Sequence, residues 1–75
     1  MEAEIDILIP AINHSNFTCS LIKSIKKHTK IPFKIIYIDN GSELSEFNNV
    51  VNSLSNTEHL IIRNHENLGF VKAIN

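Results

Sequence analysis

Glycine is scarce in this chain: only Gly41 and Gly69 occur among its 75 residues. Neither a G-x-G-x-x-G run nor a G-x-x-x-x-G-K-[ST] run can be built from two glycines so far apart, which excludes the usual glycine-rich pyrophosphate cradles. A nucleotide would have to be held by other means. Cysteine is scarcer still. Cys19 stands alone, so an internal disulfide is excluded, no Cys/His zinc spacing exists, and a reducing cytoplasm is the expected setting. His14, His28, His59 and His65 show no i,i+4 or cysteine-paired spacing, and no metal site is expected in the chain. An excess of charge of one sign is also missing. A formal charge of -1 and a pI near 6.4 provide no long-range field for polyanions, so nucleic acid is not an expected partner. No run approaches the roughly 18 apolar residues of a membrane-spanning helix. The acidic start Met1-Glu2-Ala3-Glu4 lacks the basic opening and long apolar core of a signal peptide. No membrane segment is expected here; as part of a larger enzyme the chain would work at the inner membrane face.

What is present is ordinary for a folded soluble domain, with 43% apolar and 20% charged residues. A chain this short buries only about 60% of the surface its unfolded form exposes, so one marginal core is the most it can build. We expect a single partial domain over residues 1–75.

The run Ile5-Asp6-Ile7-Leu8-Ile9, stopped by Pro10, reads as a β-branched strand. Phe17, Leu21, Ile22 and Ile25 then recur at helical spacing, with Ser15 placed to cap the helix. Lys26, Lys27, His28 and Lys30 crowd its far end, where cations favour the helix dipole, and Pro32 ends it. Lys34–Ile38 is a second strand, followed by the turn Asp39-Asn40-Gly41-Ser42, in which Gly41 can take positive φ and Ser42 can cap the next helix. Leu44, Phe47, Val50, Val51 and Leu54 share one helical face, and Glu43 and Glu46 lie in the favourable first turn. His59–Arg63 is a third strand, and Phe70–Asn75 reads as the start of a third helix. Alternation of this kind implies right-handed crossovers and a three-layer α/β fold: a parallel sheet of three strands in the order β-α-β-α-β, covered on both faces.

In such sheets ligands bind beyond the carboxyl ends of the strands, which directs attention to residues 10–13, 39–42 and 64–69. Three blocks there carry a resemblance: Asp6-Ile7-Leu8-Ile9-Pro10-Ala11-Ile12-Asn13, Ile36-Tyr37-Ile38-Asp39-Asn40-Gly41-Ser42, and Asn67-Leu68-Gly69-Phe70-Val71-Lys72-Ala73-Ile74-Asn75. In order and spacing they resemble the opening of family 2 glycosyltransferases. The resemblance implies a glycosyltransferase A-type fold that holds a nucleotide-diphosphate sugar with its base and ribose over the ends of the first two strands. On that basis Pro10, Ile12 and Asn13 would line the base pocket, with Asn40 beside them, and Asp39 would accept a hydrogen bond from a base N–H. Gly69 would let its segment approach the base, and Ala73 and Asn75 would shape the same wall. An ionised carboxylate is acceptor-only, which suits the task given to Asp39. The alternative reading of Asp39 is an Asx-turn residue that stabilises the strand-to-turn junction, and the two roles are compatible.

Two departures qualify the likeness. Family members commonly carry an aromatic residue where this chain has Ile12, and aliphatic contact is a weaker substitute for stacking. The family's metal-binding Asp-x-Asp motif and catalytic carboxylate have no counterpart in the chain, so no catalytic residue is assigned. The complete enzyme is implied to use Mn or Mg, whereas this chain is expected to be inactive alone and to bind the donor weakly. The competing expectation is a stand-alone, non-catalytic nucleotide-binding or self-associating module. The open apolar edge Ile5–Ile9 points to a homodimer formed through the first strand.

Overall fold

A computed structural model describes residues 4–64. Three strands, β1 (Ile5–Ala11), β2 (Phe33–Asp39) and β3 (His59–Arg63), alternate with two helices, α1 (Ser15–His28) and α2 (Leu44–Ser53). The strands form one parallel sheet in the order β1-β2-β3, with Ile5 opposite Phe33 and Ile35 opposite His59. This is the β-α-β-α-β, Rossmann-like arrangement expected from the hydrophobic periodicity. The expected third helix, Phe70–Asn75, lies outside the described residues.

Both crossovers step along the sheet in the same direction, and right-handed connections therefore carry both helices to the same face. The core shows it. Ile9, Ile35 and Tyr37 from the strands cluster with Ile22 from α1, Val50 from α2 and Leu54 just beyond it. Ile7, Ala11 and Ile61 complete the same face of the sheet. Strand residues of opposite parity point away from the helices: Leu8 is 60% exposed, Leu60 49% and Ile62 43%, with Ile36 and Ile38 half-buried between them. Among the described residues this second face has no helix over it, so the expected cover on both faces is corrected there to cover on one.

Three local expectations are corrected. Pro10 does not end the first strand, which runs on to Ala11. The Ala11 carbonyl accepts from the Asn40 amide at 2.9 Å, so the alternation turns Pro10 outward, where an edge strand needs no N–H. Ser15 does not cap α1; His14 does, in a left-handed conformation (φ 53°, ψ 43°) without a side-chain bond. Nor does Ser42 cap α2, since Glu43 occupies that position and the Ser42 hydroxyl is used elsewhere.

The inner face of α1 is also rotated from expectation. Ser15, Thr18 and Ile22 are buried, whereas Phe17 is 73% exposed and Leu21 38%. Polar contacts between the helices explain the rotation. The Ser15 hydroxyl donates to Glu46 and accepts from the Asn49 side-chain amide (3.2 Å), and Cys19 Sγ approaches the Asn49 carbonyl at 3.5 Å. Further along, Lys26 Nζ donates to the carbonyls of Ser53 and Ser55, both at 3.2 Å, and so satisfies orphan acceptors where α2 ends. Small side chains at Ser15 and Cys19 fit this helix contact better than Phe17 would.

Candidate functional site

At the carboxyl edge of the sheet, the loops after β1 and β2 are joined by hydrogen bonds. The chain leaves β1 through two consecutive left-handed residues, Asn13 (φ 52°) and His14 (φ 53°). Asn tolerates that region because its short polar side chain bonds locally; His14 carries the steric penalty. The double turn brings the Asn13 amide to Ser42 Oγ (2.7 Å), while Asn13 Oδ1 accepts from the Glu43 amide (2.9 Å). Gly41, with φ 94°, supplies the positive angle anticipated for the second loop.

Beneath this junction lies Asp39, fully buried. Its Oδ1 accepts from the Tyr37 hydroxyl (3.0 Å) and its Oδ2 from the Ser42 amide (3.2 Å), three residues on; the carboxylate therefore braces the turn, one residue further along than the Asx-turn expected from sequence. Arg63, directly opposite Asp39 in the β2–β3 register, brings Nε to 3.7 Å from Oδ2. Its Nη2 donates to the Ser42 carbonyl at 3.0 Å, and its guanidinium lies 4.2 Å from the centroid of the Phe47 ring. Phe47 in turn stacks on Tyr37, with centroids 6.1 Å apart. Burial, reinforced by the neighbouring Asp39 carboxylate, pushes the Tyr37 hydroxyl far above the usual phenol range.

Of the residues expected from sequence, Pro10, Ile12, Asn13, Asp39 and Asn40 come together at this edge, carried on or just after β1 and β2. Pro10 and Ile12 are exposed, Asn13 and Asn40 half-buried. Asn40 Oδ1 accepts from the Asn64 side-chain amide at 2.9 Å, which links the end of β3 to the same surface. Gly69, Ala73 and Asn75 lie outside the described residues. Sequence reasoning gave no role to Tyr37 or Arg63, and reached Asn64 only as the first residue of the loop 64–69. The signal for Arg63 was available: it is the cation that ends the third strand, and a parallel register sets the ends of neighbouring strands side by side.

The described residues do not fit a divalent metal. No group of three or more His, Cys, Asp or Glu is assembled among them, and Asp39 is already engaged by Tyr37, Ser42 and Arg63. A groove of roughly 690 Å³ lies at the opposite end of the sheet, between Lys26, Lys30, Pro32, Phe33, Thr57 and Glu58. Chemistry in parallel sheets belongs to the carboxyl end, so size does not make that groove the site. No helix among the described residues is long and apolar enough to cross a membrane.

Fold and site together define an α/β protein of Rossmann-like type with a polar, turn-built surface at the carboxyl ends of its strands. The chain belongs to glycosyl transferase family 2: the family model matches residues 6–75, an N-terminal stretch of that domain. No significant match is found among curated proteins or among solved structures.

Proposed function

We propose that this surface binds the nucleotide part of a nucleotide-diphosphate sugar, the donor class on which family 2 glycosyltransferases draw, in the cytoplasm. The observation that supports the reading is the Asn13–Ser42–Asp39 junction, which merges the loops after β1 and β2 into one surface at the edge where parallel sheets take ligands. Pro10 and Ile12 offer exposed apolar contact there, and Asn13 and Asn40 offer both donors and acceptors. Asp39 works from below. Asp39 is fully buried, so a base N–H can reach its carboxylate only if the turn above it opens, and its first task is to hold the turn that carries Asn40 and Gly41. Residues 67–75, matched by the family model, are proposed to supply the remaining wall through Gly69, Ala73 and Asn75. A Mn or Mg ion is proposed to accompany the donor in transfer, held by groups other than those in residues 4–64.

Titration with uridine diphosphate, followed by amide NMR, tests the reading. Shifts should begin at Ile12, Asn13 and Asn40. Shifts confined to Lys23, Lys26, Lys27 and Lys30 would show charge attraction alone and overturn it.

A second reading, self-association, is favoured by the outer edge of β1, which pairs with no strand among the described residues, together with the exposed Leu8, Leu60 and Ile62. A homodimer joined through β1 would cover the edge. Sedimentation as a monomer independent of concentration would reject it.

A further inference from the structure

We infer that Arg63 is the positioning residue of this site: it acts through Asp39 and Ser42 to fix the turn at residues 39–42 in the shape that receives the nucleotide. The inference rests on the donor-binding reading above. Arg63 makes three different kinds of contact at once. Its Nε lies near the Asp39 carboxylate, its Nη2 donates to the Ser42 carbonyl, and its planar face covers Phe47. Asp39 in turn accepts from the Ser42 amide. Ser42 is therefore gripped at both its N–H and its C=O, by two side chains of opposite charge that face each other across the β2–β3 register. The remaining Ser42 group, the hydroxyl, accepts from Asn13 and passes the constraint to the loop after β1.

Only a guanidinium meets these demands together, because it combines a flat face with donors held in a fixed fork. A lysine ammonium is a point charge on a flexible stem and cannot stack on Phe47 while bonding Ser42. Arg63 Nη1 is buried and has no hydrogen-bond partner among the described residues. Asn64, the next residue, extends the link by donating its backbone amide to the Asp39 carbonyl at 2.8 Å.

The test compares the full chain with Arg63→Lys and Arg63→Ala, using amide hydrogen exchange and uridine diphosphate titration. In Arg63→Lys the sheet amides of Ile35 and Tyr37 should keep their protection, whereas the Ser42 and Asn13 amides should exchange about ten-fold faster or more, as expected when a hydrogen bond to a charged group is lost. Nucleotide affinity should fall by a similar factor. Guanidinium ion at sub-denaturing concentration should restore both in Arg63→Ala, which a general loss of stability would not allow. Unchanged Ser42 exchange in a folded Arg63→Lys protein would overturn the inference, as would normal affinity despite faster exchange. Absence of nucleotide binding by the unsubstituted chain would remove the donor-binding reading and the inference's nucleotide clause with it, while the exchange data would still decide whether Arg63 holds the turn.

Discussion

Asp39 shows how one side chain can be read correctly in kind and incompletely in place. Its position after a strand and before Asn-Gly marked it as a turn residue or a ligand acceptor, and the structure supplies the turn. Full burial and the Arg63 contact were not legible, because both depend on a strand 24 residues later in the chain. Replacing Asp39 by Ala should therefore cost about 2–4 kcal/mol in urea unfolding, since it orphans the Tyr37 hydroxyl and the Ser42 amide and leaves Arg63 without its counter-charge. Tyr37 gives a second test. It is the sole tyrosine in a chain without tryptophan, so its ionisation can be followed directly by absorbance. A phenol whose pKa is raised by folding adds stability that is fully present below the unfolded value of about 10 and is lost as pH climbs above it toward the folded value. Tyrosinate should accordingly appear together with unfolding at alkaline pH; a simple titration near 10 in a folded chain would contradict the buried pair.

At the scale of elements, periodicity placed every described strand and helix and put Ile22 and Ile25 of α1 inward, but it misplaced Phe17 and Leu21. Apolar spacing favoured Phe17 and Leu21, whereas Ser15 and Cys19 meet α2 through polar atoms that a hydrophobicity pattern does not register. Ser15→Ala should destabilise the chain by about 1–2 kcal/mol, because Asn49 and Glu46 lose a shared partner between the helices. Phe17→Ser should cost much less, within about 0.5 kcal/mol, as is usual for an exposed position. The start of α1 carries a cost of its own. His14 adopts a left-handed conformation that glycine takes freely, so His14→Gly should raise stability by up to about 1 kcal/mol in thermal or urea unfolding. No gain would mean that the His14 side chain makes up for its backbone strain.

At the scale of the molecule, the helices share one face of the sheet and leave the other apolar among the described residues. The pattern of strands and helices disclosed the parallel sheet and its crossovers but not this asymmetry: cover on both faces was expected, and strand order, set by pairings the periodicity does not contain, puts both described helices on one. Leu8→Lys combined with Ile62→Glu should leave unfolding within about 1 kcal/mol of the unsubstituted chain if that face is solvated, and should abolish any self-association that uses it. The parallel sheet has a kinetic consequence as well. Each described strand finds its neighbour only across a complete crossover, Ile5 with Phe33 and Ile35 with His59, so among the described residues no hairpin exists to form early and guide the rest. The helices must take shape while their strands are still unpaired, and the search is one of loop closure before reward. A chain of this topology should fold more slowly than helical bundles of its length, and during that interval β-branched segments stand open to any neighbour: crowding during synthesis, more than the finished fold, sets the risk that copies capture one another.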